Sequence, residues 1–411
     1  MTGRPSLLVL LAAAAMLALA ATAGAQGVAE RFRTWLAEDL WPDARARGVS
    51  ADTFNAAFAG VAPNLDLPDL VLPGQSAAPG GVQHQAEFRA PAAYFRHIDG
   101  VVSGGRSRAR SHAGALAAIE RRYGVPGAIL VAIWGRESAF GTARIPHDAF
   151  EVLGTKAFLA TRKAMFREEV LAALEMVERG AVRPGAMKSS WAGALGQPQF
   201  LPSSFLKYAV DGDGDGRRDI WGSSVDTLAS IANYLAAHGW VAGRDWGFEV
   251  VVPETVSCAL EGPDRGRPIA AWAEMGIRRV GGKAFPAHER AGEGYLMMPA
   301  GRHGPAFLVT PNFYVLKDYN ESDLYALFVG HAADRIAYGD IRFAAGWDRL
   351  AAMTRGDIAA MQTRLVAMGY DVGGVDGLPG FKTRRSIGDW QARNGLAPTC
   401  FPDRRLAEAL R

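Results

Sequence analysis

Glu137 is the residue best placed to do chemistry. It sits in Ile129-Leu130-Val131-Ala132-Ile133-Trp134-Gly135-Arg136-Glu137-Ser138-Ala139-Phe140-Gly141, a segment that is otherwise nearly all apolar. It lies four residues after Ile133 and three after Trp134, so a helix puts all three on one face. A carboxyl group against such a face loses hydration, and its pKa rises. A carboxylic acid still protonated near neutral pH is what glycosidic cleavage needs as its general acid. The competing reading is a structural glutamate, paired with Arg136 or held by backbone donors.

Two further segments add polar and aromatic groups. In Ser189-Ser190-Trp191-Ala192-Gly193-Ala194-Leu195-Gly196-Gln197-Pro198-Gln199-Phe200, small residues let backbone approach a ligand closely. Ser190 and Gln199 offer hydroxyl and amide contacts, and Trp191 and Phe200 offer flat surfaces for sugar faces. A tight loop between helices is the plainer reading. Tyr319-Asn320-Glu321-Ser322-Asp323-Leu324-Tyr325 supplies a second cluster, or simply an N-cap at Asn320 or Ser322. Asp211, Asp213, Asp215 and Asp219 fall at calcium-loop positions 1, 3, 5 and 9, with Gly216 at 6 and the Arg217 carbonyl at 7. Gly222 stands at position 12, where such a loop has a bidentate acid, and Asp226 substitutes only if the following helix bends back. The expected occupant is a structural calcium ion; the alternative is an acidic turn balanced by Arg217 and Arg218. Other chemistry is missing: no dinucleotide or P-loop fingerprint, no nucleophile elbow and no histidine metal spacing.

The elements that must carry these groups are mostly helical. Helical patterns cover residues 26–60, 113–122, Pro126 to about Phe140, 167–179, the stretch behind Ser223-x-x-Asp226 (a capping-box pattern) and 322–337. Residues 61–81, rich in Pro and Gly, read as a surface excursion. Short strands are predicted at Glu249–Val252, Tyr295–Met298 and Phe307–Thr310. Residues 340–355 read as a linker. The tail shows three short helices at 357–368, 382–394 and 402–410. The fold class is α+β, predominantly α, with a small β-containing subdomain and a three-helix C-terminal domain.

Arg4, the apolar run Leu7 to Ala21 and Ala23-Gly24-Ala25 form a secretory leader, so residues 1–25 are expected to be removed. No later stretch is apolar and long enough to span a membrane. The 411 residues carry 45 Lys and Arg against 42 Asp and Glu, too even a balance to suggest nucleic acid as a partner. The two cysteines exclude a disulfide framework and a cysteine zinc site. In an oxidising compartment Cys258 and Cys400 could pair, which sequence leaves open.

Taken together, several motifs resemble the lytic murein transglycosylases of the membrane-bound lytic transglycosylase B type, over about residues 28–340. They are Ile133-Trp134-Gly135-x-Glu137-Ser138-x-Phe140-Gly141, Ser190-Trp191-Ala192-Gly193-Ala194-x-Gly196-x-x-Gln199-Phe200-x-Pro202-Ser203-Ser204, Ala232-Asn233-Tyr234-Leu235-x-x-His238-Gly239-Trp240 and Tyr319-Asn320-x-Ser322-x-x-Tyr325. Arg136 and Pro198 depart from the family pattern without removing a functional group. The resemblance implies a lysozyme-like catalytic domain over 26–345 that cleaves the β-1,4 bond between N-acetylmuramic acid and N-acetylglucosamine. It makes Glu137 the single acid/base, closing a 1,6-anhydro ring without water. It places Ser190, Gln199, Tyr234, Tyr319 and Asn320 among substrate-binding positions, requires no cofactor for the chemistry, and supports calcium at the acidic loop.

Residues 355–411 resemble a peptidoglycan-binding module, through Met361-Gln362-x-x-Leu365, Val375-Asp376-Gly377-x-x-Gly380-x-x-Thr383 and Trp390-Gln391-x-x-Asn394-Gly395. The expected protein is exported or periplasmic, with peptidoglycan strands as its partner and other cell-wall enzymes as further candidates. The rival readings are a hydrolytic muramidase and a non-catalytic wall-binding scaffold.

Overall fold

The computed structural model describes residues 27–72, 91–350 and 353–410. The leader, and the part of the Pro/Gly excursion beyond residue 72, lie outside them. The chain forms two compact units, one from Met1–Val82 with Gly141–Thr227 and one from Gln83–Phe140 with Leu228–Arg411.

The first unit is a helical cluster around aromatic side chains. A helix over 27–35 continues through a π-helical turn, Leu36–Leu40, into Trp41–Ala46, whose first turn holds Pro42. Ala51–Phe58 starts at Ser50, whose hydroxyl accepts from Thr53 N, and Ala149–Leu159 starts at Asp148, which accepts from the amides of Phe150 and Glu151. These caps satisfy donors that a helix start leaves open. Phe32, Phe54, Phe58 and Phe150 are buried; Phe58 meets Phe54 tilted and Phe150 edge to face, while Phe32 stacks on Trp35 and tilts against Phe158. Burying such a side chain contributes about 1.5–3 kcal/mol.

The second unit holds the apolar helix. Gly127–Ser138 follows Pro126, ends at Ala139 in left-handed backbone, and is buried from Ile129 to Gly135. Ile98–Ser111 and Asp323–Tyr338 pack against it. A Cβ on Gly104 or Gly135 would come within 2.5 or 2.6 Å of the Phe140 ring, so these glycines form the seat of that ring. The Ile98–Ser111 helix was not anticipated from sequence. Its glycines and serines lower helix propensity, and close packing overrides that cost.

Five antiparallel strands follow in the order Arg267–Pro268, Glu293–Met297, Ala306–Val309, Gly247–Val251, Arg278–Arg279. The three central ones lie within two residues of the predicted strands. Phe248, Val250, Ile269, Trp272, Leu296 and Leu308 form the core beneath the sheet, with Cys258 and Cys400 in the same cluster. These two cysteines are joined as a disulfide.

The three tail helices appear as Arg355–Ala367, Phe381–Arg393 and Arg404–Ala409, around Met361, Leu365, Ile387, Trp390 and Leu406. Gly388 leaves room for the disulfide, since a Cβ there would meet Cys400 Sγ at 2.2 Å. The stretch expected to be a linker is packed along much of its length. Glu249 accepts from the amides of Ala344 and Ala345, and Phe343 and Trp347 pack on Phe95, Phe307 and His331.

The disulfide spans 142 residues of sequence, so it removes much freedom from the unfolded chain. Breaking it with Cys258→Ser and Cys400→Ser should lower stability by about 2–4 kcal/mol. Coincident melting curves for this variant and the parent protein would contradict the expectation.

Candidate active site

Glu137 is the penultimate residue of the Gly127–Ser138 helix, which presents it where the backbone turns away. Ala139 and Phe140 have φ of 48° and 61°, unusual for residues with side chains. Seating of the Phe140 ring against Trp134, with centroids 5.5 Å apart, accompanies that turn. Strained backbone of this kind clusters at functional sites.

The carboxyl of Glu137 accepts a hydrogen bond from the Tyr325 hydroxyl at 2.5 Å. Burial pushes its pKa up to about 7, against the opposing effects of the Tyr325 bond and the Arg136 charge. Arg136 itself lies over the rings of Tyr94 and Phe328, at 4.6 and 4.9 Å. The alternative of a Glu137–Arg136 ion pair is therefore not what the side chain forms.

Tyr319 completes an aromatic wall. Its ring stacks parallel to Tyr325 at 6.2 Å and meets Tyr234 edge-on at 4.9 Å. Burial, then the charges of Glu137 and Tyr234, drive the Tyr319 hydroxyl well above its ordinary pKa, so it stays a neutral donor. Tyr234 donates to the Asp318 carbonyl at 2.9 Å and stacks on His238. Asn320 is exposed beside Tyr319. Ser322, rather than Asn320, caps the following helix by accepting from Tyr325 N.

Ser190 and Gln199 belong to the first unit, in a loop held by its own hydrogen bonds. The Ser190 hydroxyl accepts from the amides of Ala192 and Ala194. Leu195 and Phe200 exchange backbone bonds, and Gln199, at φ 54°, donates its side-chain amide to Gly196 O at 2.9 Å. Trp191 is 50% exposed and Phe200 only 3%. Trp191 therefore presents a platform, whereas Phe200 is a core residue and not the sugar-facing surface expected from its type.

In the acidic loop, Asp211, Asp213 and Asp226 each bring a carboxylate oxygen within 4.8 Å of the others. Asp226 does reach back from its helix: it accepts from the amides of Gly212, Asp213 and Asp219. The Ser223 hydroxyl accepts from Asp226 N, so only half of the expected capping box forms. Asp215 and Asp219 lie outside the three-carboxylate group and accept from the amides of Arg217, and of Trp221 and Gly222. Three close oxygens from carboxylates suit a hard cation such as calcium.

Tyr325 belongs to the motif quoted from the sequence, which assigns it no part in the site. An aromatic in the first turn of an apolar helix looks like core, and it is indeed 1% exposed. Its hydroxyl shows its role only once the two helices are packed.

Comparison with known proteins follows the same layout. A model of the transglycosylase SLT domain matches residues 31–334, and one of a peptidoglycan binding domain matches residues 354–410. Membrane-bound lytic murein transglycosylase B of Escherichia coli (strain K12) is 31% identical over 225 residues, 54% of this chain. The match spans 59% of that relative's length. The crystal structure of SltB3 from Pseudomonas aeruginosa in complex with NAG-anhNAM-pentapeptide superposes with a TM-score of 0.82 at 36% identity, covering 92% of this chain and 99% of that one. Escherichia coli Slt35 in complex with calcium gives 0.53 at 28% identity, over 63% and 81% of the two chains. The resemblance read from the motifs thus holds, as does the mostly helical fold with its small sheet and C-terminal helical region. Because the first match takes in the Glu137 helix, the sheet and the Tyr319–Tyr325 segment, the chain belongs to the transglycosylase SLT domain family.

Proposed function

We propose that this chain is a peptidoglycan lytic transglycosylase in which Glu137 is the single acid and base. The observation that carries the reading is the Glu137 carboxyl, desolvated at a helix end and held by Tyr325, with a pKa near 7. A group poised there can give up a proton and take one back at neutral pH. As acid it protonates the glycosidic oxygen while the bond from the muramic acid C1 breaks. As base it removes the proton from the muramic acid O6 hydroxyl while O6 bonds to C1. The proton count closes, water is not consumed, and the product carries a 1,6-anhydro ring. The substrate's own N-acetyl group stabilises the cationic stage, so the two-carboxylate scheme is not needed.

Ser190, Gln199, Tyr234, Tyr319 and Asn320 are the proposed substrate contacts. Residues 26–345 are the proposed catalytic domain and 355–411 the wall-binding domain. The disulfide and the leader-like N-terminal sequence support an exported, periplasmic location. The family likeness to Slt35, solved with calcium, supports a structural calcium ion held by Asp211, Asp213 and Asp226.

Mass spectrometry of muropeptides released from sacculi tests the reaction. The expected product is lighter by one water than the hydrolytic one; hydrolysed ends would make the chain a muramidase, and no release a scaffold. Glu137→Gln should retain the fold and lose at least about a hundredfold in turnover.

Turnover should fall as pH rises through about 7, where Glu137 loses its proton. Tyr325→Phe removes a bond that favours the ionised form, so that falling limb should move to higher pH. An unmoved limb would contradict the role of Tyr325. Stability carries the same sign. The folded pKa exceeds the unfolded one, so the parent protein loses stability as pH rises from about 4.5 to about 7. Glu137→Gln should gain melting temperature relative to it over that window.

Calcium should raise the melting temperature by binding the folded state. Asp211→Ala with Asp226→Ala should abolish the rise. Identical curves with calcium and with chelator in the parent protein would reduce the loop to an acidic turn.

A further inference from the structure

The second helix of the C-terminal module carries Lys382-Thr383-Arg384-Arg385, which in sequence looks like a solvated basic face. Arg384 is instead 4% exposed. Its guanidinium forms a paired contact with Glu261, itself 1% exposed, and donates to the Pro379 carbonyl at 2.8 Å. It also lies 3.7 Å from the Asp323 carboxylate. Taking charges of both signs out of water is costly unless the geometry is tight and the donors are used. The planar fork of arginine meets that demand by serving two carboxylates and a carbonyl.

Asp323 is the first residue of the Asp323–Tyr338 helix, and it bonds Lys317 Nζ at 2.8 Å. Burial alone would raise its carboxyl, but Lys317 and Arg384 hold it below its ordinary value. Between Lys317 and Asp323 run Tyr319, Asn320, Glu321 in left-handed backbone and the cap Ser322. The ion pair therefore closes this short segment. Glu321 N donates to Lys317 O at 2.6 Å, and Tyr325 N donates to Ser322 Oγ at 3.2 Å. Tyr325 stands two residues beyond Asp323 and donates to Glu137. The chain of contacts from the module to the catalytic acid is thus one ion pair, one capped helical turn and one hydrogen bond.

We propose that Arg384 is a positioning residue for the Glu137 centre. The C-terminal module then belongs to the catalytic framework as well as to wall binding, because its arginine fixes the segment that holds Tyr319 and Tyr325. This rests on the reading of Glu137 as acid and base. The packed stretch at 340–350 and the disulfide fit a fixed module better than a tethered one.

The test uses the full chain, with turnover of soluble glycan fragments, its pH profile and thermal melting. Arg384→Lys keeps the charge and loses the fork. Asp323→Asn breaks the link, and the Lys317 pair with it, while leaving the Arg384–Glu261 pair in place; Lys317→Met, which removes only the Lys317 pair, is its control. Glu261→Gln loosens the module's seat and leaves Arg384 facing Asp323. Arg384→Lys and Asp323→Asn should each lose about tenfold or more in kcat, as expected for a misplaced catalytic group. Their KM should rise as well, because the same segment carries the proposed substrate contacts Tyr319 and Asn320, so the pH profile is the readout that isolates the effect at Glu137. Their alkaline limb should move to higher pH, the direction expected of Tyr325→Phe. Glu261→Gln should melt earlier without moving that limb. Parent-like kcat and pH profile in folded Arg384→Lys and Asp323→Asn would overturn the proposal. So would an equal limb shift in Glu261→Gln, since any loosening of the module would then suffice. If Arg384→Lys does not fold, Asp323→Asn decides by comparison with Lys317→Met: an equal effect in the two would assign the positioning to Lys317 and overturn the role of Arg384. Retained turnover in Glu137→Gln would remove the underlying reading instead, so the two failures are distinguishable.

Discussion

The desolvation of one carboxyl group sets the terms for the rest of this molecule. Glu137 ends a helix whose neighbours are apolar, and water that would stabilise its anion is displaced. A charged carboxylate in such a place costs free energy, so the proton is retained near neutral pH. The Tyr325 hydroxyl opposes that shift and keeps the group from becoming a permanently neutral acid. The balance leaves a carboxyl that titrates near neutral pH.

Holding that balance requires two helices to keep their registry. Phe140, seated against Gly104 and Gly135, fixes where the Glu137 helix stops. Ser322 fixes where the Tyr325 helix starts. Asp323, bound by Lys317 on one side and facing Arg384 on the other, ties that start to the C-terminal module. The module is in turn fastened by the Cys258–Cys400 bond beneath the sheet. Elements that look like appendages in sequence are thus connected, contact by contact, to the single hydrogen bond at the Glu137 carboxyl.

Much of this was legible beforehand. The spacing of Ile133, Trp134 and Glu137 pointed to a buried acid, and alternation and turns located the three central strands and the tail helices. What was not legible depends on contacts between residues far apart in sequence. The Ile98–Ser111 helix is glycine-rich because it packs closely, which local propensity reads as loop. Tyr325 and Arg384 look like ordinary core and ordinary surface until their partners, 188 residues and 123 residues away, are in place. Phe200 shows the converse: a type suited to sugar stacking, spent on the core. Periodicity reports which face is buried, and it cannot report which polar group the fold delivers to that face.

The central claim is that burial lifts the Glu137 carboxyl into the neutral range, so that a large fraction still holds its proton there before substrate arrives. The most direct measurement is the titration of its carboxyl carbon by NMR in the free, carbon-13-labelled protein, assigned by comparison with Glu137→Gln. The account predicts a midpoint of about 7. A midpoint in the ordinary glutamate range, near 4.3, would show a solvated carboxylate and contradict it.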